Sequence, residues 1–237
     1  MARAKANKSR SGRDEPLSRE RIAEAAFLVI EREGLAGFSM RKLAAALGCE
    51  AMSIYHYFPS KGHLMDALAD RAISEIPPLP SKDVPWSERV RTGCRDYRAC
   101  LTKRPSFFMF LATFRMNTPT CLAYLDGVIG LFGEVGLSRE EAVRLFRVFS
   151  YYVSGTGLDE AAGYAHGPST VEPVPEEVMA RDYPNVVAAG PYFRPGEHDR
   201  TFETGLDLLL ESVERLIESR STAANRPKKG KKRSRRR

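Results

Sequence analysis

The sequence predicts an all-α chain: a small N-terminal domain followed by a larger helical one. Three observations carry this. Apolar residues recur at three- and four-residue spacing along most of the chain, and no segment shows strand-like alternation. Serines precede the periodic runs, and glycines or prolines follow them, so the chain is punctuated as a series of helix starts and stops. Charge falls in three blocks, with 11 Lys/Arg against 7 Asp/Glu in residues 1–65, 16 against 23 in 66–219, and 10 against none in 220–237. The body is acidic and both ends are basic, so affinity for phosphate belongs at the termini. With 237 residues, 43% of them hydrophobic, the chain can bury a real core.

Residues 1–16 are small, polar and basic, too poor in apolar groups to offset the entropy of ordering them, and read as a disordered arm. From Leu17 the pattern is helical: Ser18 can cap, Ile22, Ala26, Val29 and Ile30 share one face, and Gly34 offers a left-handed stop. Ser39 can cap a second, short helix, Met40 to Leu47, ended by Gly48. A third, Ala51 to Phe58, turns Ile54 and Phe58 inward and meets Pro59. Two short helices joined by Gly48, Cys49 and Glu50 fit the helix-turn-helix pattern, giving a domain over residues 17–65. Ser60 caps a fourth helix that carries Leu64, Leu68, Ala72 and Ile76 and stops at Pro77-Pro78, linking to a second domain over 66–219.

In that domain helical periodicity predicts segments at about 84–103, 105–114, 119–135, 138–163, 175–189 and 200–219. Ser138 and Glu141 make an S-x-x-E capping box at the start of a long helix. The proline-rich stretch from Gly163 to His198 reads as a long connection around one short helix. In the last helix Phe202, Leu206, Leu209, Val213 and Leu216 form a stripe at four-three spacing, which either packs within the chain or, the reading favoured here, builds a symmetric four-helix dimer interface. Residues 220–237 read as a disordered basic tail.

Several function classes find no residues to support them. No long uncharged apolar run and no apolar N-terminal leader is present, which points to a soluble cytoplasmic protein that does not enter the membrane. Cys49, Cys94, Cys100 and Cys121 have neither metal-ligand nor disulfide-framework spacing and read as reduced thiols. His56, His63, His166 and His198 form no HExxH pair, and no GxSxG, Walker A or strand-placed GxGxxG occurs, so neither a catalytic set, a metal nor a cofactor is expected.

Residues 22–68 carry a more specific pattern. Gly34, Ser39, Arg41, Leu43 and Ala44 fill G-x-x-x-x-S-x-R-x-[LI]-A. Leu47-Gly48 forms the turn, and Tyr55, Tyr57, Phe58 and Lys61 close it as Y-x-Y-F-x-x-K. This resembles the DNA-binding domain of the TetR family of repressors. A second similarity, over 118–163 and 200–217, is to the C-terminal core of the tetracycline-repressor branch. The resemblance implies a homodimeric transcriptional regulator that binds double-stranded palindromic operator DNA and is released by a small-molecule effector. Near the end of the fourth helix, where the tetracycline repressor carries a drug-contacting histidine, this chain has Pro77-Pro78, so tetracycline itself is not the implied ligand.

Within that reading the outward groups of the third helix, Ala51, Met52, Ser53, Tyr55, His56 and Tyr57, are the candidates for reading base edges. Tyr55 and Tyr57 have core packing as their alternative role. Arg41 matches a family position that can grip a guanine or a phosphate, and Ser39 can present its hydroxyl and amide to a phosphate oxygen. Lys61 lies just inside the fourth helix, where ammonium and helix dipole combine as an anion site. The basic tail offers salt-sensitive contact without sequence information. For an effector, Phe107, Phe110, Phe114, Tyr124, Phe149 and Tyr152 can line a pocket between helices, with Arg115 facing an anionic group; ordinary core packing is the alternative for each. Two other classes stay open: a protein that coats DNA without sequence preference, and an enzyme using the C-terminal pocket.

Overall fold

The computed structural model describes residues 16–111, 116–163 and 171–224, with side chains as far as residue 220. Phe114, Arg115 and His166, residues 1–15 of the expected arm and residues 225–237 of the expected tail lie outside the described residues. Eleven α-helices follow one another, with no strand among the described residues. They are α1 (Arg19–Gly37), α2 (Met40–Leu47), α3 (Ala51–Tyr57), α4 (Lys61–Ser74), α5 (Trp86–Lys103), α6 (Pro105–Leu111), α7 (Pro119–Gly133), α8 (Arg139–Ala162), α9 (Glu176–Asp182), α10 (Pro184–Ala189) and α11 (His198–Ala224).

Local chemistry sets most of these boundaries. Ser18, Ser39 and Ser60 each stand in extended backbone before α1, α2 and α4, and each hydroxyl accepts from the amide three residues on, Arg21, Lys42 and His63. Each satisfies one amide that the helix leaves without a partner. Gly34 adopts a positive φ of 69° where α1 ends its regular run. The Ser138–Glu141 capping box forms in both directions at the start of α8, with amide bonds of 3.0 and 3.3 Å. Three expectations change. The segment read as one helix over 175–189 is two, α9 and α10, because Tyr183 precedes Pro184 and is forced out of helical backbone (φ −131°, ψ 50°). Further 3-10 turns follow at Gly190–Phe193 and Pro195–Glu197, so the stretch is more than a connection around one helix. α11 also runs on to Ala224 rather than ending at 219.

Packing divides the chain into two compact units, and the division does not fall at the expected 65/66 boundary. The first unit joins the chain up to Pro77 with Ala99–Leu125; the second joins Pro78–Arg98 with the chain from Asp126 onward. α6 is what brings the later segment into the first unit. Phe107 meets Phe27 of α1 edge to face, with centroids 4.9 Å apart. The Glu31 carboxylate accepts from the Ser106 and Phe107 amides, both at 3.1 Å, so a side chain of α1 caps α6. Arg104 lies over the Phe27 ring and pairs with Glu75. The core of the unit is completed by Ile22, Ala26 and Ile30, by Leu43, Ile54 and Phe58, and by Leu64, Leu68 and Ala72, all but excluded from solvent.

In the second unit Val90, Cys94, Phe132, Phe149, Val153, Phe202, Leu206, Leu210 and Val213 form one apolar cluster from α5, α7, α8 and α11. The Trp86 indole N–H donates to the Leu131 carbonyl at 2.8 Å. Arg89, 6% exposed, is a buried charge, and it meets Glu134 at 2.5 Å and the Pro80 carbonyl at 3.1 Å. The apolar stripe of α11 is corrected by this packing. Phe202, Leu206 and Val213 are buried inside their own chain and have no surface left for a partner; Leu209 is half-buried against the same cluster, and only Leu216 is open.

Candidate nucleic-acid interface and effector region

α2 and α3 are joined by a turn that depends on one glycine. Gly48 sits in left-handed backbone (φ 69°, ψ 32°), and the Cys49 amide returns to the Ala44 carbonyl at 3.1 Å, which closes α2 and redirects the chain. α3 then packs through Ile54, with Phe58 just past its end, at 0% and 1% exposure, so its opposite side is fixed outward. That side presents Met52, Tyr55 and His56 at i, i+3 and i+4, all exposed, with Ala51 and Ser53 half-buried at its flanks. An amide-free face of a thioether, a phenol and an imidazole offers both apolar and hydrogen-bonding contact to base edges.

Tyr57 stands apart from these. Its hydroxyl donates to the Leu17 carbonyl at 2.5 Å, and its own carbonyl accepts from Arg19 at 2.6 Å, so it ties the end of α3 to the start of α1. Ser39 caps α2, Arg41 is exposed in the first turn of that helix, and Lys61 opens α4. The Lys61 ammonium donates to the Phe38 carbonyl at 3.2 Å, which brings it beside the residue that caps α2. A positive group and the amide ends of two helices thus share one edge of the helix-turn-helix, an arrangement suited to a phosphate oxygen.

Comparison with known proteins decides what these parts belong to. Residues 22–68 match the family described as bacterial regulatory proteins, tetR family, and residues 78–217 match the tetracyclin repressor-like C-terminal domain. The chain belongs to the TetR family. It is similar to the HTH-type transcriptional repressor Rv1353c of Mycobacterium tuberculosis, 30% identical over 227 residues that cover 86% of this chain and 83% of that one. It is also similar to the HTH-type transcriptional repressor DrrR1 of Streptomyces coeruleorubidus, 28% identical over 86% of this chain and 80% of the relative. Among solved structures, a possible TetR family transcriptional regulator from Streptomyces coelicolor A3(2) superimposes with a TM-score of 0.67 at 27% identity, over 84% of this chain and all of that one. The all-α architecture and the helix-turn-helix regulator expected from the motifs are those of this family.

The aromatic residues expected to line an effector pocket are divided between the two units. Phe107, Phe110 and Tyr124 belong to the first unit, Phe149 and Tyr152 to the second. Phe107 and Phe149 are 0% and 3% exposed and are covered by protein on all sides. Phe110 lies tilted against Phe107 at 5.6 Å. Tyr152 stacks on Phe202 at 5.6 Å and donates its hydroxyl to the Phe202 carbonyl at 2.6 Å. A cavity of about 300 Å³ does open in the second unit, walled by residues that the motifs left out, among them Asp159, Tyr192, Phe193 and His198. The one sequence cue to them was the Tyr-Phe pair set between Gly190-Pro191 and Pro195, apolar surface in a stretch otherwise rich in turn residues.

Titration in this unit follows its ion pairs. The Arg220 guanidinium, with the Ser138 hydroxyl and amide, holds the Glu141 carboxyl down at about 2. Arg95, seconded by Arg91, lowers Glu203, and Arg89 lowers Glu134. Burial pushes the Cys94 thiol up to about 12. No helix among the described residues is long and apolar enough to cross a membrane, and no group of three His, Cys, Asp or Glu is placed to hold a metal.

Proposed function

We propose that the protein is a homodimeric, ligand-responsive repressor that reads a palindromic operator with α3 and leaves it when a small molecule occupies the larger domain. The observation that carries this reading is the outward face of Met52, Tyr55 and His56, held rigid by the complete burial of Ile54 and Phe58 behind it. In a two-fold dimer the two copies of α3 enter successive major grooves about 34 Å apart. Ala51 and Met52 approach thymine methyls, and Tyr55 and His56 reach base edges or phosphates. Ser39, Arg41 and Lys61 fix register on the backbone, and Tyr57 supports the helix from behind, where its hydroxyl already has a partner. The resemblance of residues 78–217 to a tetracyclin repressor-like domain supports release by a small molecule. The fourth helix then acts as a lever that changes the spacing of the readers, with the effector favouring one of two states.

Two helices supply the dimer surface in this reading. α8 leaves Val148 and Tyr151 at 43% and 61% exposure, and α11 leaves Leu208 and Leu216 at 61% and 36%. α8 and α11 pack on each other, so a second copy completes a four-helix arrangement.

Selection of bound sequences from a random duplex library at about 150 mM salt tests the proposal, since that ionic strength suppresses loose phosphate contact. One recovered palindrome is the expected result. Met52→Ala and Tyr55→Ala then weaken that site by roughly tenfold each, about the 1–3 kcal/mol of a lost base contact, without changing Tm. Recovery of no motif, with binding that vanishes when residues 220–237 are deleted, replaces this reading with a protein that coats DNA through its basic tail.

A further inference from the structure

The helix assigned to reading is too short to hold itself. α3 has seven residues, and isolated helices below about 12–15 residues are marginal in water. Neither end carries a cap of its own. Glu50 stands at the N-cap without a side-chain bond, and Phe58 leaves in extended backbone (φ −134°, ψ 99°) before Pro59, with no glycine to fold the chain back on the last carbonyls. The closure comes instead from the start of α1. Arg19, the first residue of that helix, donates from Nη1 to the Tyr57 carbonyl at 2.6 Å, and its guanidinium carbon lies 4.3 Å from the centre of the Phe58 ring. Tyr57 returns the contact, its hydroxyl donating to the Leu17 carbonyl at 2.5 Å. A cation in this place also meets the negative end of the helix dipole. The anchor is itself fixed: the Ser18 hydroxyl caps α1, and Arg71 of α4 donates to the Glu20 carbonyl at 3.1 Å and pairs with Glu24 at 2.8 Å. All these residues belong to the first unit.

We infer that Arg19 is a positioning residue for operator recognition: with Tyr57 it forms a clasp that fixes the last turn of α3, and through that turn the aim of Tyr55 and His56, while touching no base itself. The inference rests on the reading of α3 as the operator reader and adds to it a residue outside the helix-turn-helix motif. Burial of Ile54 and Phe58 sets the rotation of α3, and the clasp sets where its last turn ends, which is where Tyr55 and His56 lie. An arginine suits this task better than a lysine, because one arm of its planar fork bonds a carbonyl while its face covers a ring. The rival role for an exposed arginine here is a phosphate contact, and the two roles differ in what they do to DNA binding. A phosphate contact adds affinity for any duplex and steepens the salt dependence. A positioning residue acts on the match between reader and bases and leaves both unchanged.

The test measures affinity of the full-length protein for the recovered palindrome and for a random duplex of the same length, each at several salt concentrations. Arg19→Ala is expected to weaken the palindrome roughly tenfold, since a threefold fall in correctly aimed α3 counts once in each subunit. The random duplex and the slope of affinity against salt stay as they were. Arg19→Lys, which keeps a donor and a charge at the same place, restores part of the loss. Arg41→Ala is the comparison for a phosphate contact, and flattens the slope by about one charge. Amide exchange gives a readout that needs no DNA. The Phe58 amide, bonded to the Ile54 carbonyl at 2.9 Å, exchanges faster in Arg19→Ala, while the Ile30 amide in the middle of α1 does not. A flatter slope with both duplexes weakened equally makes Arg19 a phosphate contact and overturns the inference. Unchanged discrimination overturns it too, as does loss of helix content with faster exchange throughout α1, which makes Arg19 a residue of the fold alone. A wild-type protein that prefers no sequence removes α3 as the reader and the inference with it; one that discriminates, beside an Arg19→Ala variant that discriminates equally well, removes the role of Arg19 alone.

Discussion

At the residue scale, one glycine shows how closely α8 and α11 approach. Ordinarily a helical Gly→Ala change stabilises by up to about 1 kcal/mol. At Gly205 an added Cβ would fall 2.7 and 2.8 Å from Cζ and Cε2 of Tyr152, inside van der Waals contact, and it would overlap the hydroxyl that is bonded to the Phe202 carbonyl. The sign therefore reverses: Gly205→Ala is expected to lower stability by about 1–3 kcal/mol, the cost of overpacking, read as a fall in Tm. A rise in Tm would show that the Tyr152 ring can move aside freely. Tyr57 and Tyr55, two residues apart, make the complementary point. The motif marks both as reader positions, but only the fold shows that one hydroxyl is held by Leu17 while the other phenol is open to solvent.

At the scale of elements, ion pairs join helices that are distant in sequence. Glu203 of α11 receives Arg95 at 2.7 Å and Arg91 at 3.0 Å, both from α5. Its carboxyl is lowered from the ordinary 4.5, as are Glu134 and Glu141, the last to about 2. A group with a lowered folded pKa binds its proton less readily than in the unfolded chain. Its contribution is complete above pH 4.5 and is lost as pH falls through the folded value. Stability is thus expected to decline on the acid side between about pH 4.5 and 2. Glu203→Gln lowers stability at pH 7 and makes that acid limb shallower, which urea titrations at pH 7, 4 and 3 would detect. An unchanged limb would mean that the pair is screened to insignificance.

The same scale shows what could be read in advance. The starts of α1, α2, α4 and α8 and the α2–α3 turn were legible because each depends on a serine, a glycine or a capping box acting within a few residues. The partner of an apolar face is not local information. The periodicity of Phe202, Leu206 and Val213 shows that this side of α11 is covered, but it is the same whether the cover is α8 of the same chain or a second copy. Likewise nothing near Phe107 announces that it will meet Phe27, eighty residues earlier. The cavity was missed for a related reason: Asp159, Tyr192 and His198 come from α8, a turn and α11, and only the fold assembles them.

For the whole molecule, the dimer surface proposed on α8 and α11 makes a sharp test of assembly. Tyr151→Glu together with Leu208→Glu puts charges on two residues that are each 61% exposed, so the chain itself has little reason to unfold. Sedimentation should show a monomer with unchanged helix content, and affinity for a palindrome should collapse because two half-sites are no longer bound together. A variant that still sediments as a dimer would send the interface elsewhere.

The Glu31 cap on α6 bears on how the protein can be taken apart. The reading head has a border in sequence at Pro77 but not in space, since Ala99–Leu125 belongs to the same compact unit. A fragment cut at residue 77 would leave the α1 face around Phe27 without the ring that covers it, and would leave Glu31 with no amides to receive. Grafting this head onto a foreign sensor therefore has to carry a second, non-contiguous piece of chain with it, and any such chimera has to be spliced in two places.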